Sequence, residues 1–116
     1  MTIQVPLSDF VVANDLVFTS GVLGFDPATG QRPETFRDEF AALATTLTAR
    51  LAAAGSDISR VVRAQCILRS FDDFGEFNLL YADLFPARPA RTTFAAELFR
   101  DHRVEIDVVA TLGGPR

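Results

Sequence analysis

RVEIDVVATLG, residues 103–113, places Val104, Ile106, Val108, Ala110 and Leu112 on one side of an extended chain and Arg103, Glu105, Asp107, Val109 and Thr111 on the other. The first side is pure core. The second mixes aliphatics with charge, which is neither good core nor ordinary solvent surface, and an intersubunit surface explains the mixture. Upstream, VVRAQCILR (61–69) repeats the split, with Val62, Ala64, Cys66 and Leu68 facing away from Val61, Arg63, Gln65, Ile67 and Arg69. Strands with one apolar side need a covering layer.

Two segments supply it. From Pro33 to Ala54, Phe36, Phe40, Leu43, Leu47 and Leu51 recur at steps of four and three and the run stops at Gly55, which predicts a long amphipathic helix. FDDFGEFNLLYADLF (71–85) carries Phe74, Phe77, Tyr81 and Leu84 at helical spacing and is stopped by Pro86. Asn78 falls on the same side, and a buried amide must find partners, either in a neighbouring backbone, the commoner use, or in a ligand. At the amino end, DFVVANDLVFTSG reads as a hairpin broken at Asn14-Asp15, and DPATG (26–30) as a turn with glycine where positive φ is wanted. Gly21 and Gly24 are read as bend or bulge glycines, although close approach of a ligand to the backbone would require the same residue. The order ββ(β)-α-β-α-β-β predicts a two-layer α+β fold, a mixed β-sheet with two helices packed on one face, over a single domain spanning 1–116.

Composition removes much of enzyme chemistry. With 116 residues, one histidine, one cysteine and no lysine, the chain offers no lysine Schiff base, no P-loop lysine, no Cys/His zinc cluster and no histidine pair for metal. Cys66 sits among aliphatics and reads as a small buried thiol. His102, in RDHR, reads as a solvated loop residue, with no serine placed to complete a nucleophilic triad. A net charge of −4 with scattered arginines argues against a nucleic-acid footprint and favours a small-molecule partner. No apolar run approaches the ~18 residues of a membrane span, and the amino terminus lacks the order of a signal peptide, so a cytoplasmic protein is expected.

PARPAR (86–91) sets two prolines beside Arg91. Proline fixes its own φ and restrains the residue before it, so Arg88 and the chain entering Arg91 have few conformations available. A guanidinium on stiff backbone suits a carboxylate ligand; it also suits the polar rim where a strand begins.

Taken together, PLSDFVVANDLVFTSGVLGFDPATG, DISRVVRAQCILRSFDDFGEFNLLYADLFP and PARTTFAAELFRDHRVEIDVVA resemble the Rid family, the YjgF-type reactive-intermediate deaminases. Pro-Ala-Arg-Thr followed by Val-Glu-Ile-Asp carries most of the resemblance. It implies a chorismate-mutase-like subunit in a homotrimer with ligand clefts between subunits. It also implies hydrolysis of 2-imino acids or their enamine tautomers, such as 2-aminoacrylate, to 2-keto acids and ammonia, with no metal and no organic cofactor. By position, Arg91 matches the arginine that clamps the substrate carboxylate, and Glu105 the acid that positions or activates water. Gly21 matches a backbone approach to the ligand, Asn78 a cleft position, and Thr93 the place of a frequent cysteine.

The departures are specific. Leu7 stands where active deaminases commonly have tyrosine, Thr93 removes a thiol, Val22 replaces a frequent glutamine, and the FRDHR loop is one residue short. Leu7 and Thr93 imply a shift towards substrates with less polar side chains. They also favour an alternative reading, a catalytically reduced Rid-type protein that binds small carboxylate metabolites as a sensor or partner module. Ribonuclease activity, assigned to some relatives, finds no support in an acidic chain without a basic groove.

Overall fold

In the computed structural model of the chain, which describes residues 5–113, strands β1 (Phe10–Ala13), β2 (Leu16–Thr19), β3 (Val61–Leu68), β4 (Ala90–Ala95) and β5 (Val104–Thr111) form one sheet in the order β1-β2-β5-β3-β4. All neighbours are antiparallel except β3 and β4, whose parallel pairing requires a crossover; helix α2 (Phe74–Leu84) supplies it. Helix α2 and the longer α1 (Phe36–Ala53) cover one face, giving the expected two layers. The bracketed extra strand near Val22 is a single bridge to Ile106.

Local chemistry sets the boundaries. Asn14 and Asp15 turn the β1–β2 hairpin at φ 50° and 62°, the left-handed pair that a two-residue hairpin loop needs and that these side chains tolerate. Helix α1 starts three residues after Pro33, because Thr35 caps it by accepting from Asp38 N at 3.1 Å. It ends where Gly55, at φ 86°, lets Gly55 N donate to Ala52 O and Ser56 N to Leu51 O. Phe40, Leu43, Leu47 and Leu51 from α1 and Phe77 and Tyr81 from α2 pack onto Ala64, Cys66, Leu68, Val104, Ile106, Val108 and Ala110. The three leucines are fully buried, at about 1.5–3 kcal/mol apiece.

Two expectations are corrected here. The register of β3 against β5 shifts between Val61 and Arg63, so Val61 is fully buried with the core and Val62 only partly, reversing that end of the strict alternation. His102 is not a solvated loop residue. It is fully buried, with Nδ1 2.6 Å from Phe99 O and Nε2 2.9 Å from Gly24 O, and its ring packs edge-on against Phe25. Phe99, Arg100 and Asp101 form a tight turn in which Arg100 and Asp101 take φ 48° and 60°, folding the chain so that the imidazole faces inward. Gly24 explains itself nearby: an added Cβ would overlap the Glu39 carbonyl, so strand-side backbone and α1 touch directly.

Candidate active site

The parallel register aligns Ala64 with Arg91 and Cys66 with Thr93, so both β4 side chains project to the helix side of the sheet. Arg91 thereby lies against α2. Its guanidinium carbon is 4.8 Å from the ring centroid of Tyr81, 5.2 Å from Phe77 and 5.8 Å from Phe74. Such contacts orient a cation and leave its N–H groups free. Among the described residues, no carboxylate, carbonyl or hydroxyl accepts from the Arg91 side chain. A cleft of about 340 Å³ opens there, lined by Asn78, Tyr81, Ala82, Phe85, Arg88, Pro89 and Arg91.

The polar atoms around this cleft are short of partners. Among the described residues the buried Tyr81 hydroxyl has none, and Thr93 Oγ1 is in the same condition. Burial pushes the Tyr81 phenol up to about 12, the nearby Cys66 adding to the rise and Arg91 opposing it. Cys66 itself is a buried free thiol, pushed up to about 12 by desolvation, which removes it as a nucleophile at neutral pH. The backbone tie expected of Asn78 is not found: its side chain makes no hydrogen bond among the described residues and lines the cleft instead.

Glu105 belongs to another constellation. It pairs in register with Ile67, and Asp107 with Gln65, on the face of the sheet without helices. Gln65 Nε2 donates to Asp107 Oδ2 at 3.2 Å, and Arg63 donates from a terminal nitrogen to Thr92 Oγ1 at 2.7 Å, so this face is a charged network set among exposed Phe18, Val11 and Phe94. A Cβ on Gly21 would come within 2.5 Å of Glu105 Oε2, so any larger residue there would push the carboxylate from this position. Ser20 Oγ donates to Ser8 O at 2.6 Å, anchoring the segment that carries exposed Leu7 beside Gly21. The Glu105 carboxyl is raised above the usual glutamate value by burial and then by Asp107, with His102 opposing. Asp107 is raised by burial, against the Gln65 hydrogen bond and Arg63.

The six residues singled out from sequence thus fall into two groups. Arg91, Asn78 and Thr93 lie on the helix side at the β4 edge; Gly21 and Glu105 lie on the opposite face, with Leu7 near them. β3 separates β4 from β5, and residues on opposite faces of a sheet cannot reach one small ligand in the same chain.

Residues 2–112 match the family model described as Endoribonuclease L-PSP. The chain belongs to this family, the Rid family. Among curated Rid relatives, the chloroplastic Reactive Intermediate Deaminase A of Arabidopsis thaliana is 40% identical over 110 residues, covering 92% of this chain and 59% of that protein, so the chain spans about three-fifths of that relative's length. The 2-iminobutanoate/2-iminopropanoate deaminase of Bos taurus is 36% identical over 111 residues, covering 93% of this chain and 81% of the relative. In three dimensions, a YjgF-family protein from Neisseria meningitidis superposes with a TM-score of 0.85 at 31% identity, covering 97% of this chain and 92% of that one.

Two cleft residues of this Rid chain escaped the sequence reading. Tyr81 was counted with the helix core, which its 7% exposure justifies, yet its unpartnered hydroxyl is also part of the site. Arg88 was noticed only as restrained backbone; the available signal was its spacing, three residues before Arg91 across a proline.

Proposed function

We propose that this chain, acting as a single Rid-type domain over residues 1–116, is a hydrolase that deaminates reactive 2-imino or enamine acids to 2-keto acids and ammonia. The observation that carries this is Arg91, a guanidinium laid on three aromatic rings in the lining of a cleft, with no acceptor for its donors among the described residues. A planar fork in that state suits bidentate capture of a carboxylate. The names of the Arabidopsis and bovine relatives agree with the chemistry.

The working unit is a homotrimer in the cytoplasm, and the clefts lie between subunits. Two features support the assembly: Arg91 and Glu105 face opposite sides of one sheet, and the helix-free face combines exposed Phe18 and Phe94 with the Arg63, Gln65 and Asp107 network. Arg91 of one subunit holds the substrate carboxylate while Glu105 of its neighbour receives a proton from water. The water oxygen bonds to the imine carbon, and the C=N π pair moves to nitrogen. Collapse of the resulting carbinolamine forms the keto C=O and breaks the C–N bond. Nitrogen departs as ammonia with both protons of the water: the one that Glu105 took and returns to nitrogen after the attack, and the carbinolamine O–H proton, which Glu105 relays to nitrogen as the C–N bond breaks. A carboxyl raised above its usual value is the stronger base for the first transfer.

The test is a coupled assay in which an amino-acid oxidase generates imino acids and their decay is followed with and without the protein. Acceleration is expected, and Arg91→Lys, which replaces a fork by a point donor, lowers kcat/KM roughly ten- to a hundred-fold. Keto-acid binding without any turnover is the result that selects the sensor reading, which the loss of a tyrosine hydroxyl at exposed Leu7 favours.

A further inference from the structure

We infer that Arg88 makes the cleft selective for 2-imino acids that carry a second negative group, the imines of acidic amino acids. This rests on the reading of Arg91 as the carboxylate clamp and names the substrate class that such a clamp receives here.

Within one chain the cleft contains two cations and no anion: Asn78, Tyr81, Ala82, Phe85 and Pro89 form the rest of that chain's lining around Arg88 and Arg91. In a chain of net charge −4, a cation-only lining is a local choice. Neither arginine is neutralised within the chain, since the Arg88 side chain, like that of Arg91, makes no hydrogen bond or ion pair among the described residues. A monocarboxylate held at Arg91 brings no anion to Arg88, and the neighbour's Glu105 is assigned to the imine carbon rather than to the distal end of the substrate. A dianion answers both charges, and about 340 Å³ accommodates a four- or five-carbon dicarboxylate skeleton.

The backbone gives Arg88 a fixed place. Its φ is 53°, in the left-handed region that a side chain with a Cβ adopts only under constraint. The constraint is visible on both sides: Arg88 N donates to Phe85 O at 3.1 Å, closing the turn that ends α2, and the next residue is the buried Pro89, which disfavours the right-handed helical alternative. A residue that needed only to be polar at a turn would be asparagine or glycine here. Arginine at this φ places a long cation beside the clamp at a conformational cost.

This reverses the preference expected from Leu7 and Thr93. Leu7 is apolar and Thr93 contributes a buried neutral hydroxyl, so neither supplies a charge that answers the distal end of a substrate in the Arg88 cleft.

The experiment compares imines generated by oxidation of alanine, leucine, aspartate and glutamate, with wild type, Arg88→Gln, Arg88→Lys and Arg88→Gly. Wild type is expected to prefer the aspartate- or glutamate-derived imines by roughly ten-fold or more in kcat/KM, a preference that Arg88→Gln and Arg88→Gly abolish and Arg88→Lys partly keeps. Hydrolysis of the alanine-derived imine falls clearly less than that of the acidic imines in Arg88→Gln and Arg88→Gly, because that substrate carries no second negative group for Arg88 to answer. Hydrolysis of alanine-derived imine at least as fast as the acidic ones, or an equal loss on all four in Arg88→Gln, overturns the inference while leaving the deaminase reading intact. If no imine is hydrolysed, calorimetry with 2-oxoglutarate and pyruvate still decides: tighter 2-oxoglutarate binding that Arg88→Gln removes sustains the charge selectivity, and equal affinities overturn it.

Discussion

At the start of β5, Arg103 donates from its backbone and from Nε to the Glu39 carboxylate at 2.7 Å each, and from its terminal nitrogens to the carbonyls of Glu34 at 3.1 Å and Pro33 at 2.8 Å. At the β4 edge, Arg91 meets no acceptor among the described residues and rests on aromatic faces. Charge and residue type are the same, so what separates Arg103 from the arginine proposed as a carboxylate clamp is satisfaction: Arg103 is saturated by its own chain, and Arg91 is held in place with its donors unused among the described residues. The same contrast divides the carboxylates. Glu39 is fully buried and accepts from Arg103 and from Val104 N, whereas Glu105 is half-buried and has no hydrogen-bond donor among the described residues.

The largest effect expected from this contrast is on folding. Glu39→Ala leaves the Arg103 guanidinium and two backbone N–H groups without their acceptor, costing about 3–5 kcal/mol in denaturant unfolding. A loss below about 1 kcal/mol would place the pair among exposed ion pairs of little weight. Arg91→Lys inverts the pattern: the unfolding midpoint stays close to wild type while keto-acid affinity or kcat/KM falls roughly ten- to a hundred-fold. Unfolding or dissociation of Arg91→Lys with its ligand affinity otherwise intact would make Arg91 a rim residue.

A smaller effect lies in pH. Glu105 and Asp107 have folded values raised above 4.5 and 3.8, so the folded chain binds protons where the unfolded chain has released them. Their stabilising contribution is complete below those unfolded values and is lost as pH rises through the folded ones. Turnover that uses ionised Glu105 rises over the same window, with its acid limb centred above 4.5. A limb at or below the ordinary glutamate value would detach Glu105 from the proton transfer. The smallest effect is expected of Tyr81→Phe, which deletes a buried hydroxyl without a partner and leaves the ligand-free chain unchanged or up to about 1 kcal/mol more stable. Clear destabilisation would reveal an interaction of that hydroxyl within the assembly.

Periodicity made most of the fold legible, because Phe40, Leu43, Leu47 and Leu51 obey a helical repeat and Val104 to Ala110 an extended one whatever surrounds them. A bulge adds one residue without leaving a trace in composition, so Val61 and Val62 exchanged roles. His102 is in phase with Val104 and Ile106, and that phase was the signal; its charged neighbours in RDHR concealed it. Glu39 lies three residues from Phe36 and four from Leu43, inside the apolar stripe, but only the fold brings Arg103 to it. Arg91 and Glu105 were legible as residues and not as a geometry. Strand β3 lies between β4 and β5 out of chain order, and the register that turns Arg91 to one face and Glu105 to the other is set by tertiary pairing.

That separation gives the most direct test. Arg91→Ala and Glu105→Gln are each purified as folded, inactive oligomers, then mixed under conditions that exchange subunits. If each site takes Arg91 from one chain and Glu105 from the next around a closed ring, random mixing rebuilds roughly a quarter of the sites with both groups intact, and deaminase activity returns in that proportion. Activity that stays at the level of the separate variants, after exchange has been demonstrated, would contradict a site divided between two chains.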